Sequence, residues 1–169
     1  MNDMGKKAAQ AVVNIFETGT VLGDYGKVTV LPGDTGHLTY GRAQTTLASG
    51  NLFLLIKRYV NAAGAAFGRH LEPYLERLSD MDVSLDFDVT LKGLLEAAGN
   101  DPVMQDEQDR FFDDAYWAPA ASAAGALGLT DPLAIAVVYD SHIHGSWRFI
   151  KNRTLEKHGH PSETSARSW

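Results

Sequence analysis

The hydrophobic pattern divides the chain into a helical start, a short β-rich segment and a long helical remainder. Apolar residues recur at intervals of three and four over 6–17 (KKAAQAVVNIFE), which is typical of an amphipathic helix. The predicted apolar face consists of Ala8, Ala11, Val12 and Ile15. Thr18-Gly19 is a stop signal, so Glu17 lies in the last turn. A carboxylate there opposes the helix dipole, which favours cations at that end.

The segment 20–45 is rich in Gly, Thr and Val, and it predicts a small β-hairpin or flap. The predicted elements are a strand over 27–31, a turn at Pro32-Gly33 and a second strand over 37–40. Only this part of the chain shows a β pattern.

The remainder predicts helices. Their predicted ranges are 51–63, 69–78, 88–98, 102–115, 118–128 and 131–144. A further helix start at Pro161-Ser162 is followed at once by Trp169, and we expect the natural chain to continue past this residue. The fold class is therefore mainly α with a small β-flap, and 1–169 is expected to form a single domain.

Composition narrows the class of protein. The 169 residues carry a net charge of −6, which argues against a nucleic-acid-binding protein and suits a neutral or cationic ligand. There is no cysteine, which excludes disulfides and thiolate metal sites, and no phosphate loop or dinucleotide turn indicates a cofactor. No apolar run is long enough to span a membrane, and no signal peptide is visible. We expect a monomer without metal or cofactor.

Three side chains suggest a chemistry. Glu17 ends a helix, Asp34 lies on a turn within GDTGHLTYGR (33–42), and Thr39 follows five positions later. Glycoside hydrolysis needs one protonated acid and one ionised carboxylate, and a hydroxyl can hold the attacking water. The apolar neighbours Ile15 and Phe16 would raise the pKa of Glu17, whereas Asp34 would stay ionised on a solvated turn. The alternative is structural, with Asp34 forming an Asx turn and Thr39 filling a strand.

The chain resembles the family 46 glycoside hydrolases (chitosanases) of the lysozyme-like superfamily. Three blocks carry this resemblance: Glu17 with Asp34 and Thr39, then NDPVMQDEQDRFFDDAYWAPA (100–120), then AVVYDSHIHG (136–145). The resemblance implies an inverting endo-hydrolase with Glu17 as general acid, Asp34 as general base and Thr39 positioning water. It also implies a two-lobed, lysozyme-like fold with a glycan groove between the lobes.

Departures from the family pattern concern the substrate. Asn51 replaces the acidic residue that binds the sugar amine in chitosanases, and Thr35-Gly36 replaces an arginine beside the base. The run TYGRAQ (39–44) resembles peptidoglycan-cleaving relatives, in which an arginine at Arg42 could meet a muramyl carboxylate. The expected substrate is thus peptidoglycan, cleaved by a muramidase or endolysin-like enzyme, and the alternative substrate is chitosan. The alternative class of protein is a catalytically silent glycan-binding domain.

The expected substrate contacts and location follow from this hypothesis. The substrate-binding candidates are Tyr25, His37, Tyr40, Arg42 and Asn51. The protein would act outside the cell, in the periplasm or on the cell wall. It would be released by a phage lysis or effector route, or its leader was removed.

Other polar residues have structural interpretations. Asp140, within the apolar run 131–144, is expected by resemblance to form a buried ion pair with Arg148 or Arg153. His142 and His144 diverge on a helix and are not expected to bind a metal. The charge run over 106–114 is interpreted mainly as a solvated helix face, with Arg110 paired to an acidic residue one turn away. His158 and His160 are expected on a loop, and Trp117 is expected in the core.

Overall fold

A computed structural model describes residues 3–18, 23–42 and 44–163. The chain divides into two compact units. One consists of Met1–Leu22 with Phe112–Trp169, and the other of Gly23–Phe111. Glu17 thus belongs to the first unit, and Asp34 and Thr39 belong to the second.

The Gly23–Phe111 unit combines a small sheet with short helices. Its three strands, β1 (Val28–Thr29), β2 (Thr39–Tyr40) and β3 (Thr45–Thr46), are antiparallel in the order β1-β2-β3. Thr39 pairs with Thr29 on one side and Thr46 on the other. The α-helices are α2 (Asn51–Asn61), α3 (Gly68–Leu71), α4 (Leu75–Ser79), α5 (Val89–Ala98) and α6 (Pro102–Phe112), and Glu72–Tyr74 and Val83–Phe87 form 3-10 helices.

An apolar core joins the sheet to these helices. Leu38 and Tyr40 are both fully buried, whereas Thr39 between them is half-buried. This alternation is expected of a strand, whose successive side chains point to opposite faces. Buried residues from the helices complete the core: Leu52, Leu55, Ile56, Tyr59, Leu71, Leu78, Leu85, Leu91, Leu95, Ala98, Met104 and Phe111. The strand that carries Thr39 is therefore anchored by its two neighbours.

The other unit is helical in its described part. It contains α1 (Asp3–Thr18), a π-helical turn (Asp113–Trp117), α7 (Ala118–Ala126), α8 (Pro132–Ile143), α9 (Trp147–His158) and a 3-10 turn (Pro161–Glu163). Both α1 and α7 pack against α8. Tyr139 on α8 lies edge-on to Trp117, with ring centroids 5.1 Å apart. Trp117 is a core residue, as predicted.

The fold class agrees with the prediction. The face of α1 that is buried differs from the predicted apolar face. Helices dominate and the only sheet of the described residues is the three-stranded one. Along α1, however, Val12 and Ile15 are 46% and 48% exposed, while Ala9 and Val13 are buried. Ala9 and Val13 are four residues apart and so share a face that faces α8. The predicted apolar face was therefore wrong by one position.

Several element boundaries also differ from the predicted ones. The single helix predicted over 69–78 is broken into α3, a 3-10 turn and α4, because Pro73 removes a backbone donor within it. Strand β3 and helix α9 were not predicted. His158 ends α9 and is not on a loop, whereas His160 lies beyond the helix. The predicted helix start at Pro161 is a 3-10 turn, and residues 164–169 lie outside the described part.

Candidate active site

Asp34 lies at an exposed turn that its own side chain organises. Its backbone N–H donates to the Leu31 carbonyl over 3.1 Å, and its Oδ1 accepts from the Gly36 N–H over 3.0 Å. This is the Asx turn of the structural alternative. The geometry leaves the carboxylate at the surface, since Asp34 is exposed. Asx-turn formation and general-base chemistry are therefore compatible at this residue.

Thr39 is connected to His37 through the backbone between them. The Thr39 hydroxyl donates to the His37 carbonyl over 3.1 Å. His37 has a φ of 58°, in the left-handed region that non-glycine residues seldom occupy. Its ring Nδ1 lies 2.8 Å from Oδ2 of Asp86. The other carboxylate oxygen of Asp86 accepts from the Leu38 N–H over 2.8 Å.

Tyr40 does not lie at the surface. It is 0% exposed, and burial raises the pKa of its phenol well above the ordinary value. The Tyr40 carbonyl accepts from the Thr45 hydroxyl over 3.1 Å. A fully buried ring cannot stack on a sugar without leaving the core, so the structure contradicts the assignment of Tyr40 as a substrate contact. The same alternation that exposes Thr39 buries Tyr40.

Gly41 permits a close approach of α6 to the β-segment. Gly41 has a φ of 74°, and a Cβ there would lie 2.3 Å from Oε1 of Gln108. That buried amide accepts from the Arg42 N–H over 2.9 Å and donates to the Tyr25 carbonyl over 2.8 Å. A single side chain of α6 therefore joins both ends of the segment from Tyr25 to Arg42.

Arg42 and Tyr25 share one carboxylate on α6. The Arg42 guanidinium pairs with Asp109, and the Tyr25 hydroxyl donates to the same oxygen over 2.9 Å. Burial opposes the charge on Arg42, but Asp109 and Tyr25 outweigh it and raise the pKa of the guanidinium. Burial, with the Asp109 hydrogen bond, raises the pKa of Tyr25. Both residues thus hold structural positions, and their assignments as substrate contacts stay predictions.

A polar cavity lies beside Tyr25 in the same unit. Its volume is about 430 Å³, and its side chains include Asp24, Tyr25, Glu96, Asn100 and Gln105. The carboxylates of Asp24 and Glu96 both belong to exposed residues. Such a lining favours a polar or cationic ligand over an anionic one.

Glu17 is the penultimate residue of α1, in the last turn as predicted. Its side chain lies outside the described part of the structure. Asn51 is the first residue of α2 and follows Gly50, whose φ is 74°. Its backbone N–H donates to the Ser49 hydroxyl over 3.2 Å. The roles of Glu17, Asp34, Thr39 and Asn51 in catalysis or binding stay predictions.

Asp140 does not form the buried ion pair that was predicted for it. Its side chain is 47% exposed, and Oδ1 lies 3.6 Å from Nε2 of His144, one turn along. Arg148 and Arg153 are on α9, both exposed, and the Arg153 guanidinium lies 5.5 Å from the Phe149 ring. Although its segment is apolar, Asp140 faces away from the buried side that contains Val138 and Tyr139.

Some residues in the charge run of α6 have specific partners that the sequence did not reveal. Arg110 pairs with Glu107 over 3.1 Å, as expected of neighbours three residues apart. Asp109, by contrast, binds Tyr25 and Arg42, and Asp113 binds Lys6 and Gln10. The predicted solvated face is therefore only part of the run. These partners are distant in sequence, and no local pattern indicates them.

Asp86 was also missed by sequence reasoning. It lies in the 3-10 helix Val83–Phe87, where an acidic residue is unremarkable. One signal was available: a carboxylate flanked by Leu85 and Phe87 suggests burial, and a buried carboxylate needs partners.

The described residues contain neither a metal-binding cluster nor a membrane-spanning helix. Within 3–18, 23–42 and 44–163, no group of three or more His, Asp or Glu side chains is placed to hold a metal ion. No helix in this part of the chain is long and apolar enough to cross a membrane.

Comparison with known proteins gives consistent similarities. Residues 11–169 match the model of Glycosyl hydrolase family 46. A chitosanase from Bacillus subtilis (strain 168) is 32% identical over 169 aligned residues, which cover 94% of this chain and 60% of the relative. The chain thus spans 60% of the length of that curated relative.

Solved structures show the same likeness. A mutant chitosanase from Bacillus subtilis MY002, complexed with 6 GlcN, superposes with a TM-score of 0.81 at 28% identity. The family 46 chitosanase of Gynuella sunshinyii, in complex with chitotetraose, gives the same TM-score and identity. In both comparisons the similarity covers 96% of this chain and 71% of the other. The mainly helical fold with a small sheet is shared with these proteins.

Proposed function

Because the chain belongs to glycosyl hydrolase family 46, we propose that it is an endo-acting glycosidase that cleaves β-1,4 bonds of chitosan. The observation that carries this proposal is the family match over 11–169, a range that contains Glu17, Asp34 and Thr39. The exposed Asp34 carboxylate and the half-buried Thr39 hydroxyl, on one short segment, support it.

The proposed reaction is a single displacement with inversion. The carboxylic acid of Glu17 donates its proton to the glycosidic oxygen as the bond from this oxygen to the anomeric carbon breaks. Asp34 accepts a proton from a water molecule whose oxygen forms the new bond to that carbon. The reducing end of one product carries the new hydroxyl, and the other product leaves as an alcohol.

Thr39 suits the role of holding this water. Its hydroxyl proton is used in the bond to the His37 carbonyl. A hydroxyl oxygen also has two acceptor lone pairs. Thr39 Oγ1 therefore accepts a hydrogen bond from the water while Asp34 accepts the other proton.

Chitosan replaces peptidoglycan as the favoured substrate. The case for peptidoglycan included a contact between Arg42 and a muramyl carboxylate, but this guanidinium is largely buried and pairs with Asp109. The net charge of −6 and the acidic cavity beside Tyr25 both favour a cationic polymer. The relatives described above are chitosanases. Since chitosan is a polymer that does not enter cells, we propose that the protein acts outside the cell. We also propose that it acts as a monomer.

Hydrolysis of two purified polymers tests the proposal. The full chain is incubated with chitosan and, separately, with peptidoglycan, and new reducing ends are identified. We expect glucosamine oligomers from chitosan and no muropeptides. Proton NMR of the first products should show the inverted anomer, and the Glu17→Gln variant should release nothing.

The alternatives give different results in the same experiment. Muropeptides that end in reducing muramic acid, without glucosamine oligomers, would restore the peptidoglycan hypothesis. Retention of the protein on chitosan beads, without any new reducing ends, would indicate a catalytically silent glycan-binding domain.

A further inference from the structure

We propose that Asp86 is a positioning residue, which holds His37 and thereby orients the Thr39 hydroxyl for catalysis. Asp86 lies 47 positions after Thr39 and does not belong to the predicted acid, base and threonine set. This inference rests on the proposed function, because it assumes that Asp34 and Thr39 carry out the reaction. It adds a residue that the comparisons and the sequence motifs do not indicate.

The carboxylate of Asp86 is buried and binds two consecutive residues of the β-segment. Asp86 is 7% exposed. Its Oδ2 lies 2.8 Å from His37 Nδ1, and its Oδ1 accepts from the Leu38 N–H over 2.8 Å. A buried carboxylate is stabilised by such bonds and would be costly without them. Both oxygens therefore fix the chain between Asp34 and Thr39.

His37 transmits this constraint to the Thr39 hydroxyl and to the backbone of Asp34. Its carbonyl accepts the Thr39 hydroxyl over 3.1 Å, and its N–H donates to the Asp34 carbonyl over 3.4 Å. The left-handed conformation of His37, with φ of 58°, sets the direction in which this carbonyl points. The peptide that the Asp86 carboxylate holds is thus the one that orients the Thr39 hydroxyl.

The backbone around Asp86 is itself held in place by packing and hydrogen bonds. Asp86 lies next to Leu85, which is fully buried in the core of its unit. Asp82 caps the 3-10 helix by accepting from the Ser84 N–H over 2.9 Å, and Asp88 caps α5 by accepting from the Leu91 N–H over 2.9 Å. Arg77 binds both of these aspartates. Asp86 is therefore held from both sides and can act as a fixed point for His37.

A matched pair of variants at His37 tests the inference. Glycine and asparagine both tolerate a positive φ, so neither His37→Gly nor His37→Asn should strain the backbone. The asparagine amide nitrogen occupies nearly the position of Nδ1 and can donate to Asp86, whereas glycine cannot. The two variants differ in the bond to Asp86, and both keep the bond between Asp86 and Leu38.

The expected result is a loss of turnover that asparagine reverses. On chitosan oligomers, His37→Gly should lower kcat by about 10- to 100-fold, since small misplacements of catalytic groups have effects of this size. KM should change little, and His37→Asn should recover most of the lost kcat. Urea unfolding should show that both variants are folded under the assay conditions, so that a lower kcat does not reflect unfolded protein.

Three results would overturn the inference while leaving the proposed function intact. The first is an active wild-type protein with unchanged kcat in His37→Gly. The second is a raised KM with unchanged kcat, which would make His37 a substrate contact. The third is equal loss in both variants, which would assign the effect to the ring and not to the bond with Asp86. A wild-type protein that does not hydrolyse chitosan would overturn the proposed function and, with it, this inference.

A double-mutant cycle tests whether Asp86 acts through His37. Asp86→Ala should lower kcat at least as much as His37→Gly, and adding His37→Gly to it should have little further effect. Independent, multiplying losses would contradict the inference. Because alanine leaves the buried Leu38 N–H without its acceptor, Asp86→Asn serves if Asp86→Ala fails to fold. In Asp86→Asn the amide oxygen can accept from the Leu38 N–H, and the amide nitrogen can donate to the other tautomer of His37. The kcat of this variant should therefore stay close to that of the wild type. A loss as large as that of His37→Gly would contradict the inference.

Discussion

The two ends of the segment 33–42 lie in opposite environments. Gly33, Asp34 and Thr35 are exposed, and the polar bonds of Asp34 reach no further than Leu31 and His37. Tyr40 and Gly41 are buried, and Arg42 binds Gln108, which is 66 positions away. Residues 33–35 are therefore held by local bonds and exposed to solvent, whereas residues 40–42 are held by α6.

This difference indicates which residues of the segment can contact a water molecule. A general base must reach a water molecule, so it belongs on the exposed end. The buried end provides a fixed support, because its hydrogen bonds would be costly to break. We therefore expect changes at the exposed residues and at the half-buried Thr39 to affect rate, and changes at Tyr40, Gly41 and Arg42 to affect stability.

The largest expected effect is on rate, at Asp34. Asp34→Asn should lower kcat on chitosan by about 100- to 10,000-fold, the usual contribution of a general base. The asparagine oxygen can still accept from the Gly36 N–H, so the melting temperature should hardly change. Reducing-end release and thermal unfolding measure the two quantities.

Asp131→Asn is the matched control for this prediction. Asp131 makes the same kind of side-chain bond, with the Leu133 N–H over 2.9 Å, at the start of α8. It should leave kcat unchanged. An Asp34→Asn variant with normal turnover would show that Asp34 is a turn former and nothing more.

The second prediction concerns stability, at Gly41. Gly41→Ala should lower the free energy of unfolding by about 1–3 kcal/mol, because its Cβ would overlap the Gln108 amide. Gly33→Ala is the control, since Gly33 has a similar φ of 80° and no atom within 4 Å of the added Cβ. Urea unfolding should show a clearly larger loss for Gly41. Equal losses would mean that backbone conformation, and not close packing, determines the effect.

The third prediction is an asymmetry between Asp109 and Arg42. The Arg42 side chain is 10% exposed, whereas that of Asp109 is 47% exposed. Asp109→Ala leaves a buried cation without this carboxylate and should cost about 1–3 kcal/mol of unfolding free energy. Arg42→Met leaves a carboxylate that water can solvate, so its cost should be smaller. Chemical denaturation measures the unfolding free energy of both variants. A larger loss for Arg42→Met than for Asp109→Ala would contradict the prediction.

The smallest expected effect is pH-dependent and concerns another turn aspartate, Asp82. Hydrogen bonds from Ser84 and Arg77 lower the pKa of Asp82 to about 2. A carboxylate with a lowered pKa stabilises the fold above its unfolded pKa of about 3.9, and this contribution disappears as the pH falls towards 2. The difference in unfolding free energy between wild type and Asp82→Asn should therefore shrink from pH 5 to about pH 2. A constant difference would contradict it.

The sequence predicted the elements whose pattern is local. Helices α2 and α5 have periodic apolar residues, α8 is a continuous apolar run, and Asp88 and Asp131 cap α5 and α8. Strand β3 has two residues and no pattern of its own, so its pairing with β2 could not be predicted. The buried face of α1 was also missed, since alanines on several faces leave the direction ambiguous.

The candidate site was predictable to the same extent. Asp34 and Thr39 lie on one short segment, and their spacing was visible in the sequence. The partners Asp86, Gln108 and Asp109 come from elements far along the chain, so tertiary packing alone brings them together. The burial of Tyr40 depends on which face of β2 meets the core, and a two-residue strand does not indicate its register.

The contact between Gly41 and Gln108 has a consequence for redesign of this protein. Libraries aimed at a new glycan preference would contain many destabilised members if they included Gly41, since any side chain there meets the amide of Gln108 on α6. Randomising Thr35 avoids this loss, because Thr35 is exposed and is not among the non-glycine residues with a positive φ. Diversity is best introduced where the segment faces solvent, with the α6 contact kept as an unvaried foundation.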